Sequence, residues 1–218
     1  MNKEIEDKVK ELSRRIVGTG QIVVTAESLT GGMISAALTS IPGASEWFER
    51  GFVTYTNQAK HEMLDVPQSI LDRFSAVSTQ TVSQMLEGAI RHSNATMAVA
   101  VSGIAGPDGA MPGRPVGTVF IGWKRKDEMA EVGRYEFKGD RQSVREQTVA
   151  VAIQGLIEML DEGSNHEYLV RYSLFNSADS PQRFFCHERD LHRYSSPQQA
   201  ANAGRSRRER CRACFVSV

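Results

Sequence analysis

Residues 22–38 read IVVTAESLTGGMISAAL and join an apolar run, a polar turn and the start of a helix. The apolar run, Ile22 to Val24, is typical of a short strand that is buried on both faces. After the Gly31-Gly32 pair, apolar residues recur at helical spacing and stop before Pro42. A strand that leads through a glycine-containing turn into a helix is the building unit of α/β folds, so this stretch predicts that class.

The sequence on both sides of this stretch continues the alternation of strands and helices. An amphipathic helix is predicted over 2–17, and strands are predicted at 51–55, 97–101, 116–123 and 132–137. Further helices are expected to begin near Asn57, Ser78 and Asp140, which are good N-cap residues. Because the last two strands follow one another as an antiparallel pair, the sequence predicts an α/β layered domain with a mixed sheet.

Composition and charge limit the class of protein. The 218 residues include 40% hydrophobic and 24% charged residues, as expected for a globular protein of one domain with a small appendage. The 26 basic and 26 acidic residues balance, so nucleic acid is an unlikely partner. The chain lacks both the roughly 20 consecutive apolar residues of a membrane span and the apolar region of a signal peptide. We therefore expect a cytoplasmic protein without a membrane partner.

The pattern changes after Asp161. The remaining residues contain no lysine, hold all three cysteines of the chain and end in an arginine-dense run at 205–212. We therefore expect a folded domain over 1–161 and a disordered or weakly structured tail over 162–218. The Cys211-x-x-Cys214 pair lacks the second pair of ligands that a zinc module requires, so no metal site is predicted.

The turn at 25–32 is the first candidate for chemistry, because open α/β sheets bind ligands beyond the carboxyl ends of their strands. Ser28 lies at the helix entrance, where its hydroxyl can attack a carbonyl if a base is near. Gly31 and Gly32 allow close approach of the backbone, whose N–H groups can stabilise an oxyanion or bind a phosphate. The alternative is that Ser28 or Thr30 is an ordinary helix N-cap. The other polar residues of the turn are predicted substrate contacts: Thr25, Glu27 and Thr30.

A second polar turn follows the predicted strand at 97–101. Its Ser102, Gly103 and Gly106 suit the binding of a phosphate or a ribose, although glycines of this kind are also common in plain turns. No cofactor is predicted for either turn.

Lys60 is the candidate base. It lies in the first turn of the helix predicted after Asn57, where the helix dipole and partial burial both lower the pKa of a lysine. A neutral lysine can take a proton from a serine. The alternative is an ordinary exposed lysine. At the start of the last helix, Arg141 and Arg145 share one face, which suits anion recognition; the alternative is a solvated pair of like charges.

Five motifs resemble, in order, those of the CinA C-terminal domain family: TAESLTGG (25–32), WFERGFVTYTNQAK (47–60), SGIAGPDG (102–109), RPVGTVFIGW (114–123) and FKGDRQSVREQ (137–147). The resemblance covers about residues 5–160. It implies a three-layer α/β/α sandwich with a mixed, mostly parallel sheet, and often a homodimer. It also implies the family's activity, the hydrolysis of nicotinamide mononucleotide to nicotinate mononucleotide and ammonia.

The resemblance also implies roles for the candidate residues. Ser28 becomes the nucleophile and Lys60 the base, with the oxyanion stabilised by backbone N–H groups near Gly31 and Gly32. Tyr55 and Asn57 are implied to orient Lys60 or the substrate. Ser102, Gly103 and Gly106 are implied to line the nucleotide site. Arg141 or Arg145 is implied to meet the phosphate.

The chain departs from the family pattern at Leu29, where members usually have a cysteine. Leucine is bulkier and forms no hydrogen bond, so the pocket is expected to differ in shape. The resemblance also implies an alternative function, because CinA proteins are associated with competence and DNA damage: a non-catalytic CinA-like module that binds a nucleotide or a protein.

Overall fold

The computed structural model describes residues 2–162. Within this range the chain forms six α-helices: α1 (Lys3–Ile16), α2 (Met33–Leu38), α3 (Asn57–Leu64), α4 (Gln68–Phe74), α5 (Thr79–Arg91) and α6 (Arg141–Glu162). It also forms five strands: β1 (Val23–Glu27), β2 (Phe48–Val53), β3 (Met97–Gly103), β4 (Thr118–Arg125) and β5 (Glu131–Glu136). A short 3-10 helix, Ala44–Glu46, precedes β2.

The strands form one sheet in the order β2-β1-β3-β4-β5. β1 pairs in parallel with both β2 and β3, whereas β4 pairs antiparallel with β3 and with β5. The sheet is therefore mixed, as predicted, and three of its five strands are mutually parallel. Because β1 lies between two parallel neighbours, its carboxyl end opens between the ends of β2 and β3.

Helices cover both faces of the sheet. Along β3, Val99 and Val101 pack in one buried cluster with residues of α1, α2 and α6, whereas Ala98 and Ala100 pack in a second cluster with residues of α3, α4 and α5. This alternation follows from the two-residue period of a strand. The three-layer α/β/α sandwich is thus confirmed.

The first helix shows why the amphipathic pattern holds. The Asn2 side chain accepts a hydrogen bond from the Ile5 N–H and caps α1, and Ile5, Val9 and Leu12 are buried. Full burial of such aliphatic side chains contributes about 1.5–3 kcal/mol each, which fixes the helix against the core. The predicted helix over 2–17 is confirmed.

The largest differences from the sequence prediction lie at one edge of the sheet. β2 covers Phe48–Val53 rather than 51–55, because an edge strand with charged residues in its middle has no clear two-residue burial pattern. α4 is not predicted at all, since seven residues are too few to show a helical period. The side chain that caps α3 belongs to Thr56, which accepts from the Ala59 N–H, and not to Asn57.

The tail predicted over 162–218 lies outside the described residues, except Glu162, which ends α6. Cys211 and Cys214, for which no zinc site is predicted, also lie outside the described residues. Among the residues that are described, no helix has the length and apolar character needed to cross a membrane.

Candidate active site

Ser28 and Lys60 meet at the carboxyl end of β1. Ser28 directly follows this strand, and Lys60 lies on α3, just after the neighbouring β2. The Lys60 Nζ is 2.9 Å from the Ser28 Oγ and donates a second hydrogen bond of 2.7 Å to the Thr54 carbonyl. The predicted alternatives, an N-cap for Ser28 and an exposed surface position for Lys60, are therefore both wrong.

Among the residues that the structure describes, no carboxylate pairs with the Lys60 amine. Its side chain is 1% exposed, and this burial lowers the pKa of Lys60 from 10.5 to about 8. Desolvation acts in this direction because it disfavours the charged form of the amine. An amine with a pKa near 8 exchanges protons readily close to neutral pH, which is what a general base requires.

A cavity of about 210 Å³ opens beside the two side chains. Its wall consists of residues from five segments of the chain: Ser28, Leu29, Tyr55, Lys60, Ala76, Val77, Ser102, Gly103, Ala105 and Arg141. Arg141 donates hydrogen bonds of 2.7 Å to the Tyr55 hydroxyl and to the Gly106 carbonyl. Ser102 donates to the Ala76 carbonyl at 2.7 Å. The structure thus brings Tyr55, Ser102, Gly103 and Arg141 together with Ser28 and Lys60.

The Glu27 carboxylate does not face this cavity. It is fully buried and accepts hydrogen bonds from the N–H groups of Gly32, Ile34 and Ser35 at 2.8–3.1 Å, so it caps the first turn of α2. It also accepts from the hydroxyls of Thr30 and Ser35 at 2.7 Å. The predicted substrate role of Glu27 is corrected: this carboxylate holds the turn that carries Ser28.

The predicted substrate role of the two threonines of the turn is also corrected, because their hydroxyls bond within the protein. Thr25 and Thr30 are fully buried; the Thr25 hydroxyl pairs with the Ser35 hydroxyl at 2.7 Å, and the Thr30 hydroxyl donates to Glu27. Neither residue lines the cavity. Thr30 is also not the N-cap of α2, which is Gly32.

The amides of Gly31 and Gly32 are already occupied. The Gly31 N–H donates to the Ser28 carbonyl at 3.1 Å, and the Gly32 N–H donates to Glu27. Their φ angles of 60° and 95° explain the choice of glycine, because two successive left-handed residues are strained with any side chain. The two glycines shape the turn, and the prediction that their N–H groups meet an oxyanion is corrected.

Three further predicted contacts lie outside the cavity wall. Arg145 donates to the carbonyls of Leu29 and Thr30 at 3.2 and 2.8 Å, so its guanidinium is bound to the turn. Asn57 is exposed at the start of α3, and Gly106 reaches the site only through its carbonyl, which accepts from Arg141. Both arginines bind backbone carbonyls, Arg141 from an exposed position and Arg145 from a half-buried one.

Sequence reasoning missed the backbone and apolar parts of the site. The Thr54 carbonyl orients Lys60, and Ala76, Val77 and Ala105 complete the wall. A carbonyl acceptor has no residue signature, and small apolar residues in loops look like ordinary packing. The turn between α4 and α5 became visible only once both helices were placed.

Comparison with known proteins agrees with this fold. Residues 5–160 match the CinA C-terminal domain. This chain belongs to the CinA C-terminal domain family. The nicotinamide-nucleotide amidohydrolase PncC of Enterobacter agglomerans is 45% identical over 152 residues, which are 70% of this chain and 93% of that protein. The protein of the same name from Escherichia coli K12 is 42% identical over 153 residues, again 70% and 93% of the two chains.

Solved structures of the CinA family share the fold. The competence/damage inducible protein CihA from Agrobacterium tumefaciens superposes with a TM-score of 0.71 at 41% identity, over 74% of this chain and 98% of that one. A CinA superfamily protein from Klebsiella pneumoniae gives a TM-score of 0.70 at 34% identity, over 74% and 99% of the two chains.

Leu29 follows Ser28 in the turn and is the residue at which the resemblance led us to expect a cysteine. Its side chain is 4% exposed, packs in the same cluster as α1, α2 and α6, and contributes to the cavity wall. The turn around it is held by Glu27 and Arg145, neither of which bonds to the side chain at position 29. The turn therefore forms with leucine at this position.

Proposed function

We propose that this CinA domain hydrolyses the carboxamide of nicotinamide mononucleotide to nicotinate mononucleotide and ammonia, with Ser28 as the nucleophile and Lys60 as the base. The observation that carries the proposal is the 2.9 Å contact between the Lys60 Nζ and the Ser28 Oγ beside a cavity. The substrate is supported by the relatives named nicotinamide-nucleotide amidohydrolase, at 42–48% identity.

Acylation begins with Lys60 in its neutral form. With a pKa of about 8, roughly a tenth of the amines are neutral at pH 7. Ser28 Oγ attacks the carboxamide carbon and its proton passes to Lys60 Nζ, which gives a tetrahedral oxyanion. The Lys60 ammonium then protonates the amide nitrogen, the C–N bond breaks, and ammonia leaves an ester on Ser28.

Deacylation uses the same two groups in the reverse order. Water attacks the ester carbon while Lys60 Nζ accepts its proton, and the proton is returned to Ser28 Oγ as nicotinate mononucleotide leaves. The Thr54 carbonyl keeps the amine directed at Ser28 in both steps, because it holds a second N–H of Lys60 at 2.7 Å.

Substrate binding is assigned to the polar part of the cavity wall. Arg141 is the cation proposed to meet the phosphate, since it lines the cavity and is exposed, whereas Arg145 lies outside the cavity wall and Lys60 is committed to Ser28. Tyr55, which accepts a hydrogen bond from Arg141 and is 56% exposed, marks the rim at which the phosphate would enter. Ser102 and Gly103 are proposed to contact the ribose or the ring.

We extend the proposal to the organisation of the chain. Residues 1–161 are the catalytic domain, and the protein works as a cytoplasmic homodimer, which is supported by the resemblance to stand-alone CinA domains. Light scattering of the purified protein tests the dimer, which would have twice the 24.1 kDa of one chain.

Ammonia release from nicotinamide mononucleotide tests the reaction. Ser28→Ala and Lys60→Met should each lower kcat by about 10⁴-fold or more, because each removes one member of a nucleophile–base pair. Ser40→Ala and Lys10→Met remove the same groups from positions outside the cavity wall and should leave kcat unchanged. Tight binding of the nucleotide without ammonia release by the unaltered protein would instead identify the non-catalytic nucleotide-binding module.

A further inference from the structure

Two adjacent backbone N–H groups beside Ser28 have no acceptor. Within residues 2–162, the N–H groups of Leu29 and Thr30 make no hydrogen bond, although these residues are only 4% and 0% exposed. Buried amides are nearly always paired in folded proteins. The flanking amides follow that rule: the Ser28 N–H donates to Val101 and the Gly31 N–H to Ser28. Two open donors in succession therefore indicate a place for an acceptor that the protein does not supply.

The orientation of both amides is fixed through their peptide groups. In a trans peptide the C=O and the next N–H point in opposite directions. The Ser28 carbonyl is held inside the turn by the Gly31 N–H, so the Leu29 N–H points out of the turn. The Leu29 carbonyl is held by the Arg145 Nε at 3.2 Å, so the Thr30 N–H points away from Arg145.

The position of the turn beside Ser28 indicates that the missing acceptor is the oxyanion of an attacked carbonyl group. Leu29 lines the cavity directly after Ser28, and Thr30 follows it one residue further along the turn, so these two amides are the open donors nearest to Ser28 in the chain. The other candidate donors are excluded, since the N–H groups of Gly31 and Gly32 are occupied. Donors aimed at the developing oxyanion are among the largest sources of stabilisation in acyl transfer.

We infer that the backbone N–H groups of Leu29 and Thr30 form the oxyanion site, and that Arg145 is the positioning residue that holds them in place. Arg145 reaches across from α6 and binds two successive carbonyls of the turn, with its Nη2 2.8 Å from the Thr30 oxygen. The inference rests on the proposed function, because it takes Ser28 as the nucleophile. It replaces both the predicted glycine donors and the predicted phosphate role of Arg145.

Replacement of single amides by esters tests the donors. Incorporation of an α-hydroxy acid at position 29 or 30 of the full chain exchanges the N–H for an oxygen and keeps the side chain. Each ester should lower kcat for nicotinamide mononucleotide by about 10²–10³-fold with KM changed by less than about threefold, as for the loss of one oxyanion donor. The control is the same exchange at the exposed Met129, which should change neither constant. Unchanged kcat for both esters would overturn the assignment.

Variants of Arg145 test the positioning role. Arg145→Ala should lower kcat by about tenfold or more with little change in KM, and added guanidinium ion should restore much of the loss. Arg145→Lys, which cannot bind both carbonyls in the same way, should be impaired without such rescue. Arg14→Ala, which removes an exposed arginine that donates to the Lys10 carbonyl, is the control for both measurements. A rise in KM at unchanged kcat would make Arg145 a substrate contact and overturn the inference.

The rate at which a fluorophosphonate labels Ser28 separates failure of this inference from failure of the proposed function. Phosphonylation also develops negative charge on an oxygen beside Ser28, whatever the natural substrate is. If the unaltered protein is labelled but releases no ammonia, the proposed substrate is wrong, and slower labelling of the two esters and of Arg145→Ala still supports the oxyanion site. Equal labelling rates, or no labelling of the unaltered protein, would contradict it.

Discussion

Replacement of Lys60 by methionine should abolish activity and change the free energy of unfolding by an amount that depends on pH. Lys60 is 1% exposed, and methionine is an unbranched apolar side chain that can occupy much of the same space. The substitution removes an amine that is costly to bury and two hydrogen bonds, to the Ser28 hydroxyl and to the Thr54 carbonyl. These two effects have opposite signs, and only the first depends on pH.

The cost of the buried amine follows from its pKa. The folded chain holds Lys60 at a pKa of about 8, against 10.5 for an exposed lysine, and a tenfold change in proton affinity is about 1.4 kcal/mol. The unfolded chain therefore binds more protons than the folded chain between these values, so stability rises with pH across this window. The penalty is about 3 kcal/mol at pH 7, falls to about 1 kcal/mol at pH 9.5 and disappears above the unfolded pKa.

The two hydrogen bonds offset part of this gain, at about 1 kcal/mol each. Lys60→Met should therefore raise the free energy of unfolding by about 1 kcal/mol at pH 7 and lower it by about 1 kcal/mol at pH 9.5. The difference between the two pH values, about 2 kcal/mol, does not depend on the hydrogen-bond estimate. This difference is therefore a more precise test of the lowered pKa than the value at either pH alone.

Urea unfolding of the unaltered and Lys60→Met proteins at pH 7 and pH 9.5 measures this difference. Other titrating groups cancel when the two proteins are compared at the same pH. The control is Lys10→Met on the exposed surface of α1, which should give the same small difference at both pH values. A stability difference for Lys60→Met that stays constant between pH 7 and pH 9.5 would refute the lowered pKa and, with it, the neutral base.

Four further outcomes follow from the site. The kcat/KM for nicotinamide mononucleotide should rise with pH to a plateau, with a midpoint near the Lys60 pKa of about 8, when initial rates are measured from pH 6 to 10. Glu27→Gln should lower the free energy of unfolding in urea by about 3 kcal/mol, because an amide cannot accept all the hydrogen bonds of the carboxylate, whereas the exposed Glu46→Gln should not. Arg141→Ala should raise KM for the nucleotide at least about tenfold and leave free nicotinamide unaffected, and equal effects on both would count against a phosphate contact. A chain ending at Glu162 should keep ammonia release, and loss of activity in that folded, shortened chain would assign a role to the remainder.

The parts of the fold that could be predicted are those whose side chains report burial directly. β3 is apolar along its length and buried on both faces, and α1 presents one apolar stripe, so both are recognisable from their periods. β2 is an edge strand in which Glu49 and Arg50 interrupt the apolar residues, so its beginning was not recognisable. Register and edge position depend on partners far away in the chain.

The residues of the candidate site also divide into those that could be predicted from the sequence and those that could not. Ser28 and Lys60 were candidates from the residues alone, because a hydroxyl and an amine carry their chemistry in the side chain, and the resemblance to the CinA family selected them over the alternatives. The hydrogen bonds of Glu27 could not, because a carboxylate in a polar turn looks the same whether it faces a ligand or folds back onto the next helix. Arg145 lies 115 residues from the Thr30 carbonyl that it binds, and no local pattern records a contact at that separation.

The support given by Glu27 and Arg145 leaves the side chain at position 29 independent of the shape of the turn. Both residues act on backbone groups or on neighbouring hydroxyls, so none of these hydrogen bonds depends on the side chain at position 29. Position 29 is therefore a place where the cavity wall can be altered while the contacts of Glu27 and Arg145 with the turn are kept. An engineer who wishes to change selectivity in this domain would begin there, with a small library of apolar and polar residues.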